Sequence, residues 1–137
     1  MGATRDAAEI ARGRGVRVAR LRAIKADIVA HGGHVTLSAE DVAARHRLSS
    51  RYVRKLFESE GTSLSDFMLR QRLVRAHRML GDISHAGSSI TAIAYEAGFN
   101  DLSYFNRAFR RRYDATPSDV RAALARSLRA ATDEGKP

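Results

Sequence analysis

The sequence contains no cysteine, which excludes disulfides, thiolate metal sites and cysteine nucleophiles. No apolar run approaches the ~18 residues of a membrane-spanning helix, and no uninterrupted apolar segment follows the basic residues of the N-terminus, as a secretory signal would require. Glycine-rich phosphate loops ending in Lys-Ser/Thr and nucleophile elbows are also missing. We therefore expect a soluble intracellular protein that is not an enzyme.

Metal-ligand patterns are absent as well. The histidines are scattered, and none is paired with a carboxylate at the spacing that zinc ligands require. We therefore predict neither a metal site nor a cofactor. The five histidines are His31, His34, His46, His77 and His85.

Charge is the first positive feature of the chain. Its 137 residues include 24 Lys and Arg but only 15 Asp and Glu, which gives a formal net charge of +9. Such an excess favours a polyanionic partner, either nucleic acid or an acidic membrane surface, over a merely solvated basic face. A membrane-surface helix needs a wide apolar face with a basic border. The nearest candidate, Val18–Ala30, has only a narrow apolar stripe, which suits packing inside a domain.

One segment of about twenty residues occurs twice. AEDVAARHRLSSRYVRKLF (39–57) and SITAIAYEAGFNDLSYFNRAF (89–109) share their apolar positions, first at an offset of 51 residues and then at an offset of 52. Each copy reads as a short amphipathic helix, a tight turn and a second amphipathic helix, which is the pattern of a helix-turn-helix. Two such units in a strongly basic chain indicate DNA binding.

Helical periodicity and capping residues divide the chain into about seven helices, and no segment alternates with the period of a strand. The predicted fold is all-α, with two helix-turn-helix subdomains joined by a long linker helix. The predicted boundaries are a disordered arm or linker remnant over 1–17, a DNA-binding domain over 18–128 and a flexible tail over 129–137. Within the domain they are a first helix-turn-helix over 38–60, a linker helix over 63–80, a second helix-turn-helix over 89–113 and a final helix over 117–128.

The second helix of each repeat presents polar side chains opposite its apolar stripe. Arginine can bond guanine bidentately and asparagine can bond adenine, so these sets have suitable donors for base edges. Solvated polar faces are common on helices, but here they recur at the same place in both copies. The first polar face consists of Arg51, Arg54 and Lys55; the second polar face consists of Leu102, Ser103, Asn106 and Arg107.

The two predicted turns differ in one residue. Gly98 opens the second turn, where glycine adopts a left-handed backbone easily. Arg47 occupies the equivalent position in the first copy. The first turn must therefore hold a left-handed arginine or bend differently.

These residues resemble the AraC/XylS family of bacterial transcription regulators. The stretch ITAIAYEAGFNDLSYFNRAFRRRYDATPSDVR (Ile90–Arg121) is similar to that family's C-terminal signature, and Leu48–Leu80 is similar to its first recognition helix and linker helix. The resemblance implies that both recognition helices enter adjacent major-groove segments and that the two polar faces contact bases. We add Ser38, Ser50, Arg72, Arg110 and Arg111 as candidate contacts to the DNA backbone.

Family members often carry a separate effector-sensing or dimerisation domain before this unit. Only about seventeen residues precede the first predicted helix, too few to enclose a ligand. The chain is expected to be monomeric and to lie with DNA in the bacterial cytoplasm and nucleoid. RNA polymerase and an effector-binding domain outside this chain are candidate partners. The operator, the direction of regulation and the choice between a whole protein and a fragment stay open. The alternative function is a basic module that binds nucleic acid or protein without reading sequence.

Overall fold

A computed structural model describes residues 2–31 and 37–135, and the side chains from residue 6 onward within those ranges. This part of the chain contains seven α-helices, one short 3-10 helix and no strand, which confirms the all-α prediction. No helix in it is both long and apolar enough to cross a membrane. The α-helices are α1 (Gly2–His31), α2 (Ala39–Arg45), α3 (Ser50–Glu58), α4 (Leu64–Leu80), α5 (Ile90–Glu96), α6 (Leu102–Tyr113) and α7 (Pro117–Glu134), and the 3-10 helix is Ile83–His85.

Both ends of the chain depart from the predictions. The segment predicted as a disordered arm is helical from Gly2 onward, and α7 continues to Glu134 through most of the predicted tail. Alanine and arginine, which are frequent in both segments, are among the strongest helix formers, whereas a helical glycine costs only about 1 kcal/mol. The sequence predicts that Gly32 and Gly33 end the first helix. This pair, together with Met1 and residues 136–137, lies outside the described residues.

Short polar side chains begin the helices. The Ser38 hydroxyl accepts a hydrogen bond from the Asp41 amide at 3.1 Å, and the Asp41 carboxylate accepts one from the Ser38 amide at 3.0 Å. Thr116 and Asp119 form the same reciprocal pair at the start of α7, where Pro117 is the first helical residue. The sequence predicts both capping boxes. At α6 the sequence predicts Asn100 as the cap, but the cap is Asp101, whose carboxylate accepts a hydrogen bond from the Tyr104 amide.

The chain forms two compact units, which divide between Leu69 and Arg70. In the first unit α1 packs against α3, and α2 packs against α3. The buried stripe of α1 meets the buried stripe of α3, and the rings of Phe57 and Phe67 lie 5.6 Å apart. The α1 stripe is Leu21, Ile24 and Ile28, and the α3 stripe is Val53, Leu56 and Phe57.

In the second unit, α6 packs against α5 and α7 around a row of aromatic rings. Phe105 lies 4.8 Å from Phe99 and 5.6 Å from Phe109, and Phe109 lies 4.8 Å from Tyr113. The ring of His77 in α4 lies 4.4 Å from the ring of Tyr113. The three phenylalanines are buried, so α6 is fixed by its apolar stripe while its opposite side remains in solvent.

Candidate nucleic-acid interface

The turn between the paired helices is built in the same way twice. The amide of Leu48 donates to the Ala43 carbonyl at 2.9 Å, and the amide of Phe99 donates to the Ala94 carbonyl at 2.9 Å. The residue before each of these amides has a left-handed backbone, with φ of 55° at Arg47 and 106° at Gly98. This arrangement is a Schellman motif. The first turn therefore uses a left-handed arginine, one of the two alternatives that the sequence allows.

The change of offset within the repeat has a local cause. Ser49 caps α3 directly after Leu48, whereas Asn100 lies between Phe99 and the cap of α6, Asp101. The second turn is thus one residue longer. After that residue the apolar stripes of α3 and α6 coincide again, so the two polar faces occupy equivalent positions on their helices.

All three residues of the first polar face are exposed on α3. Lys55 and Arg51 have no ion pair in the described part of the chain, whereas Arg54 donates to the Glu40 carboxylate of α2 at 3.4 Å. The Arg54 and Glu40 side chains are 57% and 68% exposed, so this pair contributes little to stability.

The second polar face is exposed on α6 and borders a concavity. Three of its residues, Leu102, Asn106 and Arg107, line an open concavity of about 510 Å³ together with Arg110. The remaining lining residues belong to the start of α5 and the start of α7. They are Ile90, Thr91, Thr116, Pro117 and Ser118. Ser103 is exposed but does not line this concavity.

The five candidate backbone contacts have different surroundings. Arg110 and Arg111 are exposed on the last turn of α6, and Ser50 is half-buried at the start of α3. The Ser38 hydroxyl accepts a hydrogen bond as a helix cap, which leaves its own proton available to a phosphate oxygen. Arg72 is half-buried and lies against the second turn, since a Cβ added at Gly98 would be 3.1 Å from its Nε.

The structure adds two residues that the sequence does not point out. Tyr104 is 45% exposed on α6, next to the second polar face. Glu40 is the partner of Arg54. Helical periodicity places Tyr104 at the border of the apolar stripe, and only the packing of α6 decides that it faces solvent. The Glu40 contact depends on how α2 crosses α3.

Carboxylates stabilise the scaffold around these faces. Asp27 of α1 accepts hydrogen bonds from Arg45 at 2.7 and 3.0 Å and from His46 at 2.9 Å. Burial alone would raise the pKa of Asp27, but the His46 and Arg45 bonds and their charges outweigh it and lower that pKa. The pKa of Asp41 is lowered chiefly by the hydrogen bond from the Ser38 amide. The Asp27 contacts fix α2, and the turn after it, onto α1.

The exposed faces offer hydrogen-bond donors to an anionic partner. Guanidinium, ammonium, amide and hydroxyl groups can bond phosphate oxygens and base edges. Within residues 2–31 and 37–135, no three His, Asp or Glu side chains are grouped so that they could hold a metal ion.

Known proteins resemble this chain in sequence and in fold. A family model described as a helix-turn-helix domain matches residues 42–123. The transcriptional activator RhrA of Rhizobium meliloti strain 1021 is 42% identical over 106 residues, which are 77% of this chain and 33% of RhrA. The regulatory protein PocR of Salmonella typhimurium strain LT2 is 40% identical over 89 residues, which are 64% of this chain and 28% of PocR. The chain thus spans about a third of the length of these curated relatives.

Two solved structures extend the comparison. A probable AraC family transcriptional regulator from Rhodopseudomonas palustris CGA009 has a TM-score of 0.69 and 30% identity, covering 77% of this chain and 96% of that one. The DNA-binding domain of the global transcriptional factor AdpA, solved in complex with a target DNA, has a TM-score of 0.65 and 28% identity, covering 75% of this chain and 90% of that one. The chain belongs to the AraC/XylS family of helix-turn-helix transcription regulators.

Proposed function

We propose that this protein binds double-stranded DNA in a sequence-specific manner and thereby regulates transcription. In this proposal α3 and α6 each enter the major groove, in successive segments of one duplex. The observation that carries it is the repeated geometry: two helices, each following the same Schellman turn, are buried along one stripe and expose donors along the other.

The chemistry of the two faces supports direct readout of bases. The first polar face contributes two arginines and a lysine, and arginine bonds the O6 and N7 atoms of guanine bidentately. The second contributes Asn106 and Arg107, and asparagine bonds the N6 and N7 atoms of adenine in the same way. Leu102 offers an apolar contact to a thymine methyl group. The complex of the AdpA domain with its target DNA and the activator names of RhrA and its relatives also favour this function.

The candidate residues divide into base contacts and phosphate contacts. Arg107 reads a base, whereas Arg110 and Arg111, in the last turn, bind phosphates together with Ser38, Ser50 and Arg72. Phosphate contacts supply affinity without sequence information, and base contacts supply discrimination.

Selection from a pool of random duplexes tests the proposal. The wild-type chain should enrich one motif, and Arg54→Ala or Arg107→Ala should weaken that site by ~1–3 kcal/mol and relax preference at one position each. Arg111→Ala is the matched control, and it should weaken specific and random duplexes alike. If no motif is enriched, the protein is a non-specific basic module. An equal loss on both kinds of duplex for Arg54→Ala would assign Arg54 to a phosphate.

The wider role of the protein extends this proposal. We place it in the bacterial cytoplasm, on the nucleoid, as a regulator without catalytic activity. RNA polymerase is the partner through which such a regulator would act on transcription. An effector-binding domain outside this chain would supply the ligand response, since the relatives are about three times longer than the matched segment.

A further inference from the structure

We infer that α1 carries an accessory surface for the phosphate backbone of double-stranded DNA, made by Arg14, Arg17 and Arg20 and continuous with the start of α3. The inference rests on the proposed function and names a contact region outside both helix-turn-helix units. It concerns the duplex that flanks the segment contacted by α3.

Two contacts fix the direction of α1 relative to α3. Near the start of α3, the Arg20 guanidinium donates to the Tyr52 hydroxyl at 3.2 Å and lies over the Tyr52 ring at 5.7 Å. Just beyond the end of α3, Lys25 forms an ion pair with Glu60. Residue numbers therefore increase in the same direction along both helices. The part of α1 that precedes Arg20 extends past the capped N-terminal end of α3.

That end of α3 is the end expected to face DNA. In helix-turn-helix proteins the N-terminal residues of the recognition helix contact base edges. Ser50 is the first residue of α3, and Arg51 of the first polar face follows it. Tyr52 lies between this face and the buried stripe, so Arg20 borders the first polar face from the side of α1. Arg17 lies about one helical turn before Arg20 and therefore closer to the flanking duplex.

The charge of this segment is of one sign. Residues 10–26 contain five arginines and one lysine, with no aspartate or glutamate. Arg14, Arg17 and Arg20 follow one another at intervals of three residues, so they form a continuous ridge of the helix. All three are exposed, and in the described part of the chain the ion pairs of α1 involve Lys25, Asp27 and His31 instead. Their charges are therefore available to an external anion.

A DNA backbone fits this surface better than a membrane does. The exposed apolar residues of the same segment include Val16 and Val18, which are two positions apart and so point to different sides of the helix. A membrane-surface helix needs a single continuous apolar face. A ridge of arginines next to a base-reading helix is instead complementary to phosphates that follow the groove.

A charge-matched pair of variants tests the surface in the full chain. Arg14→Gln/Arg17→Gln removes two positive charges from α1, and Arg126→Gln/Arg129→Gln removes two exposed positive charges from α7. Both variants are titrated with salt on a duplex that carries the selected site and long flanks. Each lost phosphate contact lowers the slope of log affinity against log salt by ~0.9, so the α1 variant should have a slope about 1.8 shallower than wild type. The α7 variant should change the slope much less. Circular dichroism checks that both variants remain helical.

Trimming the duplex separates a contact from a general charge effect. Removing the flank next to the motif bound by α3 should abolish the difference between wild type and the α1 variant. Hydroxyl-radical footprinting should show lost protection on that flank only. Equal slopes for the two double variants, or a loss that persists on the trimmed duplex, would overturn the inference. Arginine-dependent binding to phosphatidylglycerol vesicles without any flank effect on DNA would also overturn it. A wild-type chain that enriches no motif would instead refute the proposed function.

Discussion

Two residues with opposite steric demands hold the same left-handed conformation in the two turns. Gly98 adopts φ of 106° without penalty, whereas Arg47 adopts φ of 55° with a Cβ atom that crowds the following carbonyl oxygen. The hydrogen bonds of the Schellman motif and the packing of α2 onto α3 maintain the arginine in this conformation.

Exchanging the residue types should therefore have opposite effects on stability. Arg47→Gly should raise the free energy of unfolding by up to about 1 kcal/mol, because glycine relieves the left-handed strain. Gly98→Ala should lower it by ~1–2 kcal/mol, because alanine is strained at this positive φ and its Cβ also crowds Arg72. Urea denaturation measures the free energy of unfolding of each variant. Arg47→Ala is the control, because alanine keeps the left-handed strain. Destabilisation by Arg47→Gly would show that the arginine side chain itself supports the turn.

Asp27 makes the stability of the first unit sensitive to acid. The pKa of Asp27 is lowered in the folded protein. Its contribution to the free energy of unfolding is therefore present above the unfolded pKa of ~3.9 and is lost as the pH falls through the folded pKa. Asp27→Asn should be less stable than wild type at neutral pH, and the two should converge once the pH has fallen below the folded pKa of Asp27. Unfolding curves at a series of pH values test this, with Asp133→Asn as an exposed control. A stability difference that stays constant into strong acid would contradict the role of the charge.

At the scale of elements, each helix proposed to face DNA depends on fully buried phenylalanines, which are Phe57 in α3 and Phe105 and Phe109 in α6. Phe57 anchors α3 and Phe109 anchors α6, and neither has any exposed surface. Phe57→Ala should lower the free energy of unfolding by ~3–5 kcal/mol and abolish specific binding without removing any DNA contact. Tyr104→Ala, which truncates an exposed aromatic residue on α6, should change stability by less than about 0.5 kcal/mol. A Phe57→Ala variant that melts near wild type and still loses binding would place Phe57 at the DNA surface.

The N-terminal half of α1 is a helix without a core of its own. No buried residue precedes Leu21 in its described side chains. A Cβ added at Gly15 would meet no atom within 4 Å, so Gly15→Ala should favour the helical state locally by about 1 kcal/mol. Hydrogen exchange should slow before Leu21, while the thermal midpoint of the whole chain stays the same. A shifted midpoint would mean that this half packs against the domain.

At the scale of the whole molecule, two different polar faces predict an asymmetric binding site. One chain should recognise two short, dissimilar motifs about 10–10.5 base pairs apart on one side of the duplex. Light scattering should give a monomer, and footprinting on the selected site should show protection over about two turns of DNA. A stable dimer that protects a palindrome would contradict this expectation and would point to α1 as a dimer interface.

Apart from the two ends of the chain and the Asp101 cap of α6, the sequence by itself determined the helices, their caps and the repeat. Each of these depends on residues within about four positions of one another, as in the Ser38–Asp41 and Thr116–Asp119 boxes. Apolar periodicity likewise places Phe57 and Phe109 in the core, and the shift from 51 to 52 residues marks the longer second turn. The faces of α3 and α6 follow from the same periodicity, since the side opposite a buried stripe remains in solvent.

Only the tertiary structure decided which side chains meet across helices. The contacts of Arg54 with Glu40, of Arg20 with Tyr52 and of Asp27 with His46 join residues 14 to 32 positions apart. Such contacts depend on the crossing angle and register of packed helices, which periodicity does not specify. The same limit applies to α1. Its first half lacks an apolar stripe, so only the direction imposed by the contacts of Arg20 and Lys25 shows that its arginines extend past the start of α3.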